Sequence, residues 1–373
     1  MPRRRPSPVP LAPLALLLLA GAVPLACSSA TPTATDTTAP VTTPPSTPTS
    51  ATASTDSTPP GSTAPPTSAV PNTTDGSPPT TAAGPGVTAQ AARFSLDAPM
   101  SRLVAVPRGD TLLVFSGLTA GKASMNRVFT LDPRTGTTTA TGKLPQAVHD
   151  AAGTALGDRV LLIGGGEQNV AYPDVVDVTA SPPTKIGRID VGRSDNSAVT
   201  VGDTAYVLGG YDERSIVAPV LASGDGASWR KVVDLPTPVR YGAVAADGPT
   251  IYVFGGVTDK AQTTDIQAID TTDGSARKVG TLPVPLGHAA AVNLGGSIYV
   301  LGGRTGAGTS TATTTTSATI YRFDPATASV TEVGKLPKPV ADFGVAVLGD
   351  TAYVLGGERG DTAVNEVVTV RRS

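Results

Sequence analysis

The chain of 373 residues carries 28 basic and 30 acidic side chains, a formal net charge of −2, with 39% apolar and only 4% aromatic residues. That balance offers no basic stripe for a nucleic-acid backbone and no polybasic face for an anionic membrane. A single cysteine excludes an internal disulfide, and two histidines are few for a metal centre, so neither a metal nor any other cofactor is expected.

Arg3, Arg4 and Arg5 precede an apolar stretch from Leu11 to Ala22, shorter than the roughly 20 residues that span a bilayer. The pattern reads as a signal peptide over residues 1–26. Its end, Pro24-Leu25-Ala26-Cys27, resembles the lipobox at which bacterial lipoproteins are cleaved and acylated, although Pro24 stands where that family prefers leucine. The resemblance implies lipidation of Cys27 and an extracytoplasmic protein anchored to a bacterial cell membrane; secretion is the alternative. Loss of the three leader arginines would leave 25 basic against 30 acidic side chains, a charge of about −5. Residues 27–90 are almost all Thr, Pro, Ser, Ala and Gly, too poor in apolar surface to offset the entropy of ordering, and are expected to form an extended tether.

Residues 91–373 are periodic. An apolar strand ending in diglycine recurs at Gly164-Gly165, Gly209-Gly210, Gly255-Gly256, Gly302-Gly303 and Gly356-Gly357, with a degenerate first copy at Ser116-Gly117. The second glycines lie 48, 45, 46, 47 and 54 residues apart, and eight residues before each stands another glycine, from Gly109 to Gly349. Twelve residues earlier come Asp97, Pro145, Asp190, Pro236, Pro283 and Pro337. Each copy offers a small-residue strand such as Gly287 to Leu294, a Val/Leu/Tyr strand ending in diglycine, a third strand such as Ile320 to Phe323, and a short fourth strand ending in Leu-Pro.

The repeat resembles that of the kelch family, through its diglycines, the strand before them and the Asp-Pro-x-Thr turns at Asp132 to Thr135 and Asp324 to Thr327. It departs from the family in its tryptophans, of which Trp229 is the only one. The resemblance implies an all-β, six-bladed β-propeller of four-stranded antiparallel blades. Val364 to Val370 occupies a third-strand place with no fourth strand after it, while Ala92 to Asp97 aligns with a fourth strand. The N-terminal strand is therefore expected to complete the C-terminal blade and close the ring.

Alternating strand direction puts the Leu-Pro crossings and the post-diglycine loops on one face. Five residues after each repeat's Asp or Pro, the aligned column reads Arg102, Asp150, Asp195, Tyr241, His288 and Asp342. One position earlier are His149 and Arg240, and Arg304 and Glu358 add charge from the loops after the diglycines. Ionisable residues beside strands of Ala, Gly and Val make this funnel mouth the candidate ligand site. The alternative is a mouth whose polar groups satisfy one another. The longest loop, from Arg304 to about Thr319, is expected to be a loose insertion.

Galactose oxidase resembles this chain as a kelch-type enzyme, but its copper-radical chemistry needs a cysteine bonded to tyrosine, and Cys27 lies at the leader's end. Ser223 to Trp229 resembles the Asp-box turn of sialidases, a structural hairpin in that family. No nucleophile elbow, phosphate loop or dinucleotide fingerprint stands in context. The expected function is recognition of a protein or cell-envelope glycan by a monomer, with no nucleic acid and membrane contact through the lipid alone. The alternative is a kelch-type carbohydrate-active enzyme, similar to mutarotases or epimerases, using the funnel's Arg, His and Asp residues.

Overall fold

The computed structural model describes residues 86–373; the leader, Cys27 and the tether up to residue 85 lie outside the described residues. Apart from one turn of 3-10 helix at Thr311–Thr313, the regular structure among the described residues is β, and no helix there is long and apolar enough to cross a membrane.

The repeats fold into four-stranded antiparallel sheets, six of them among the described residues. Sheet 1 takes Val104–Arg108, Thr111–Phe115, Met125–Leu131 and Thr138–Val148, and sheet 2 takes Ala152–Leu156, Arg159–Ile163, Asp174–Asp177 and Thr184–Arg188. Sheets 3 and 4 run Ser197–Val201, Thr204–Leu208, Pro219–Ser223, Arg230–Asp234 and Ala243–Asp247, Thr250–Phe254, Asp265–Asp270, Ala276–Thr281. Sheet 5 is Ala290–Leu294, Ser297–Leu301, Thr319–Asp324 and Ser329–Lys335. Sheet 6 takes three strands from the C-terminal end, Gly344–Leu348, Thr351–Leu355 and Glu366–Arg372, and its outermost from the beginning of the described region, Val87–Ser95.

That last pairing runs Val87↔Arg372, Thr88↔Arg371, Ala89↔Val370, Gln90↔Thr369 and Ala91↔Val368. Folded structure thus starts at Val87, four residues before the boundary drawn from composition at residue 91. Backbone pairing to Glu366–Arg372 explains the difference, because ladder hydrogen bonds do not depend on the small side chains that made Val87 to Gln90 look like tether.

The second strand of each repeat is the most deeply buried: Leu112 to Phe115, Ile251 to Phe254 and Ile298 to Leu301 are all nearly inaccessible. These residues alternate between two sides of their sheet, and each side meets a neighbouring sheet. Apolar clusters therefore lie between successive sheets, and one of them, with Leu103, Phe129, Tyr353 and Val367, joins sheet 6 to sheet 1. Each such side chain contributes roughly 1.5–3 kcal/mol when fully buried. The first strands, rich in Ala and Val, border a channel of about 820 Å³; larger side chains there would fill it.

The diglycines serve close backbone approach, the first glycine facing the next repeat, as Gly209 does Val239 O, and the second facing its own repeat's crossing. Gly210 has φ +103, and a Cβ there would lie 2.6 Å from the Ser194 carbonyl oxygen. Only glycine meets both conditions without strain.

Candidate functional site

In every repeat the residue that begins the turn into the first strand adopts a left-handed backbone. Arg102, Asp150, Asp195, Tyr241, His288 and Asp342 have φ between 52° and 57°. Asp and His tolerate this region better than most residues, which accounts for much of the column's polarity without a ligand. The reversal also aims five of the six N–H groups at the preceding repeat. Asp195 N–H donates to Asp150 O (2.8 Å), Tyr241 to Asp195 (2.9 Å), His288 to Tyr241 (3.1 Å), Asp342 to His288 (3.1 Å) and Arg102 to Asp342 (2.6 Å). The residue before each member pairs with the residue after that repeat's diglycine: Ser101 with Leu118, His149 with Gly166, Ser194 with Tyr211, Arg240 with Val257, Gly287 with Arg304, and Ala341 with Glu358. This register brings crossings and loops to a common mouth.

The side chains at that mouth form a circuit. Arg102 NH1 lies 2.7 Å from Asp150 Oδ2 and donates to the Tyr241 hydroxyl at 3.1 Å, and that hydroxyl donates to Asp150 at 3.2 Å. Tyr241 stacks on His288 with ring centroids 3.8 Å apart. His288 Nδ1 is 2.6 Å from Asp342 Oδ1, whose other oxygen accepts from Arg304 Nε at 3.2 Å. Arg304 NH2 donates to Glu358 Oε2 at 2.8 Å, and Glu358 Oε1 accepts from Ser101 and Lys122, each at 2.9 Å. Arg102 Nε, 3.5 Å from Glu358 Oε1, returns the circuit to its start. Two branches leave it. Arg240 NH1 reaches Asp195 Oδ2 at 3.2 Å, and His149 holds Ser124 Oγ at 2.9 Å on Nδ1 with Asp150 Oδ2 3.7 Å from Nε2.

The electrostatics follow from this pairing. Asp150, against desolvation, holds the Arg102 guanidinium firmly protonated, with help from Tyr241, Asp342 and Glu358. Burial pushes the Asp342 carboxyl up, but His288, Arg102 and Arg304 outweigh it and keep that group well below the usual carboxylate range. Burial, reinforced by Asp150 and Asp195, drives the Tyr241 hydroxyl well above its ordinary value. Asp195 goes the other way from Asp342: desolvation and the neighbouring Asp150 charge outweigh Arg240 and push its carboxyl up to about 7.

All ten residues singled out at the mouth are brought together, but two sit differently from expectation. Arg304 and Glu358, expected as loop charges, are buried at 2% and 1% exposure, because each is drawn into the circuit by strand pairing next to the mouth. The segment from Arg304 to Thr319 is also less loose than expected, since Arg304–Thr305 pairs with both Leu286–Gly287 and Thr315–Thr316. Lys122 and Ser124 escaped sequence reasoning because their loop follows the degenerate Ser116-Gly117, where the repeat signal is weakest. Arg193 escaped too. It stands where the other repeats carry Met100, Val148, Val239, Leu286 and Val340, and it is fully buried, donating to the carbonyls of Gly209 and Pro219 and to Asp190.

Beneath the circuit lies a cavity of about 130 Å³, bordered by Arg102, Asp150, Asp195, Tyr241, His288 and Asp342. That is below the ~300 Å³ at which ligand pockets begin. Beside the mouth runs a larger groove of about 790 Å³, between the post-diglycine loops of sheets 3 and 4. Among the described residues no group of three or more His, Cys, Asp or Glu is placed to hold a metal ion.

Known proteins share parts of this pattern. The family description "KLHDC2/KLHL20/DRC7 Kelch-repeats domain" matches residues 195–371. Mouse Kelch-like protein 35 is 27% identical over 154 residues, covering 39% of this chain and 25% of that protein. Acyl-CoA-binding domain-containing protein 4 of Arabidopsis thaliana is 32% identical over 116 residues, 29% of this chain and 17% of that protein. The chain thus spans a quarter or less of these curated relatives. The solved structure titled "Structure of YjhT" superposes with a TM-score of 0.63 at 16% identity, covering 74% of this chain and 99% of that one, which shows the fold alone. Together these likenesses support a kelch-repeat family and an all-β fold.

Proposed function

We propose that this kelch-repeat chain is a six-bladed propeller, closed by Val87–Ser95 on its last blade, that serves as a protein-binding module through its mouth face. The reading is supported by the apolar cluster between sheets 6 and 1 and by the Arg102 N–H bond to Asp342 O. On the leader's pattern, the module is extracytoplasmic and held to the membrane by acylated Cys27.

One observation carries the choice of binding over catalysis. The carboxylates of Asp150, Asp342 and Glu358 are paired with the guanidiniums of Arg102 and Arg304, so acid–base chemistry would require those pairs to open first. A mouth whose charges are largely paired with one another instead holds its loops in position for a partner. Kelch domains generally mediate protein contacts, which agrees with this use of the face. A cell-envelope glycan is the other partner class the leader and tether suggest.

The test is capture from cell-envelope extracts on the immobilised full chain. Charge reversals at the mouth loops (Glu167→Arg with Arg359→Glu) should abolish a specific partner, and reversals at the far turns (Asp158→Arg with Asp203→Arg) should leave it bound. Equal capture by both variants would refute a mouth-face module. Turnover of a sugar on a substrate panel, lost in Arg102→Ala with His288→Ala, would instead favour the enzymatic reading.

A further inference from the structure

We infer that the ring parts first between sheets 1 and 2, and that this junction is a gate over the cavity beneath the circuit. The inference rests on the closed-ring reading, in which the six sheets meet at six comparable junctions.

Glycines set the geometry at five of them. The first glycine of each pair faces the next repeat's crossing, so that a Cβ on Gly302 would stand 2.5 Å from Val340 O, and one on Gly164 would overlap Arg193 O. Repeat 1 has Ser116 in that place. It carries a real Cβ at φ +57, it is 1% exposed, and its Oγ has no hydrogen-bond partner among the described residues. A side chain where the other repeats have none takes room from the neighbouring crossing, and a close-packed interior has no slack to absorb it.

The hydrogen bonds differ at the same junction. Five turn residues donate an N–H to the turn residue of the preceding repeat, but among the described residues no such bond joins Asp150 N–H to Arg102 O. Side chains also bridge sheets 2 to 5 near the axis, Thr200 to Ala155 O, Ser197 to Gly242 O and Asn293 to Ala246 O. At the junction of sheets 1 and 2 a backbone tie remains from Gly117 N–H to Val148 O on the crossing, with the side-chain contacts Arg102–Asp150 and Ser124–His149 at the mouth. Arg102 and His149 are 21% and 20% exposed, so water competes for both contacts. Where the ends of the described region meet, sheets 6 and 1 are held more tightly: Arg102 N–H reaches Asp342 O, Gly357 N–H reaches Met100 O, and the buried Glu358 carboxylate accepts from Ser101 and Lys122.

Arg102 is thus a latch hung on sheet 6 and bolted to sheet 2. Its N–H and Nε stay with Asp342 and Glu358, while NH1 holds Asp150, and Arg102 and Asp150 both border the cavity of about 130 Å³. Movement of sheet 2 away from sheet 1 breaks the last of these contacts and joins the cavity to the mouth, a local opening without global unfolding.

The experiment is native-state thiol trapping on the full chain carrying Cys27→Ser, with one buried valine at a time replaced by cysteine. Val160→Cys reports the junction of sheets 1 and 2, and the same change at Val114, Val207, Val253, Val300 or Val354 reports one of the other five. Without denaturant, an aromatic disulfide reagent should modify Val160→Cys at least about tenfold faster than any other. Adding Ser116→Gly should slow that rate and adding Arg102→Met should quicken it, each by about fivefold, the worth of one hydrogen bond, with Val253→Cys and Val300→Cys unchanged. Val106→Cys, on the facing side of the same junction, takes over if Val160→Cys does not fold. If the reporter between sheets 1 and 2 is not the fastest, or is indifferent to both added changes, the gate is overturned and the closed ring stands; if Val114→Cys is the fastest, the ring parts where its ends meet and the closed-ring reading falls with the gate.

Discussion

Replacing Asp195 by asparagine isolates the most strained charge at the mouth. Its carboxyl takes a proton at about 7 in the folded protein against an ordinary value of 3.8, because burial and Asp150 oppose ionisation more than Arg240 favours it. Below about 4 the group is protonated in both folded and unfolded chains, so it adds no pH dependence. Between about 4 and 7 the unfolded chain releases the proton while the folded one keeps it, and stability falls as pH rises by about 1.4 kcal/mol per pH unit. Above about 7 both states are ionised, and the accumulated loss is on the order of 4 kcal/mol. Asparagine is the neutral isostere and tolerates φ +57, so it removes this dependence without forcing the backbone. Urea unfolding of parent and Asp195→Asn at half-unit steps from pH 4.5 to 8.5 checks this. The difference should move in the variant's favour by about 3 kcal/mol across that window, the rest of the loss falling below pH 4.5. Parallel stability curves would mean that Asp195 is ionised throughout as a plain partner of Arg240, and the account of the mouth's electrostatics would be wrong.

The diglycines allow a paired comparison. Gly210→Ala, with φ +103 and a backbone oxygen 2.6 Å from the new Cβ, should cost about 3 kcal/mol in denaturant unfolding. Gly202→Ala, with φ +56 and nothing within 4 Å, should cost only about 1 kcal/mol from backbone strain. Equal costs would show that close approach is not what the second glycine provides. Arg304→Met removes the buried cation that Asp342 and Glu358 share and leaves them His288 and Lys122 as remaining partners, so a loss of about 3 kcal/mol is expected, with partial recovery in a triple variant that also carries Asp342→Asn and Glu358→Gln. Thermal unfolding reads both, and a loss under about 1 kcal/mol in Arg304→Met would refute the circuit as a structural element. Growth with a radiolabelled fatty acid should label the parent and not Cys27→Ala; an unlabelled parent ends the anchor proposal.

What the sequence determined by itself is the material of the fold. Strand positions were legible because each repeat is a local pattern: a small-residue strand, an apolar strand ending in diglycine, and turns at fixed offsets, repeated until coincidence is excluded. The placement of Ala92 to Asp97 beside the C-terminal strand was legible for the same reason, since an unfilled fourth-strand place at one end matched a surplus strand at the other; the pairing of Ala91 with Val368 follows that logic. The column from Arg102 to Asp342 was also visible, but its cause was not. Backbone sign is invisible in a residue list, so a left-handed turn that favours Asp and His looked like a ligand signal. Only the tertiary structure decided that Arg304 and Glu358 are buried, that Lys122 joins them, and that a groove of about 790 Å³ lies beside the mouth. Those facts depend on side chains from different sheets, with Lys122 and Glu358 separated by 236 positions, meeting across a few ångströms. A periodic sequence specifies each sheet from within, whereas charge pairing at their meeting point is set by which neighbours the packed sheets bring into reach.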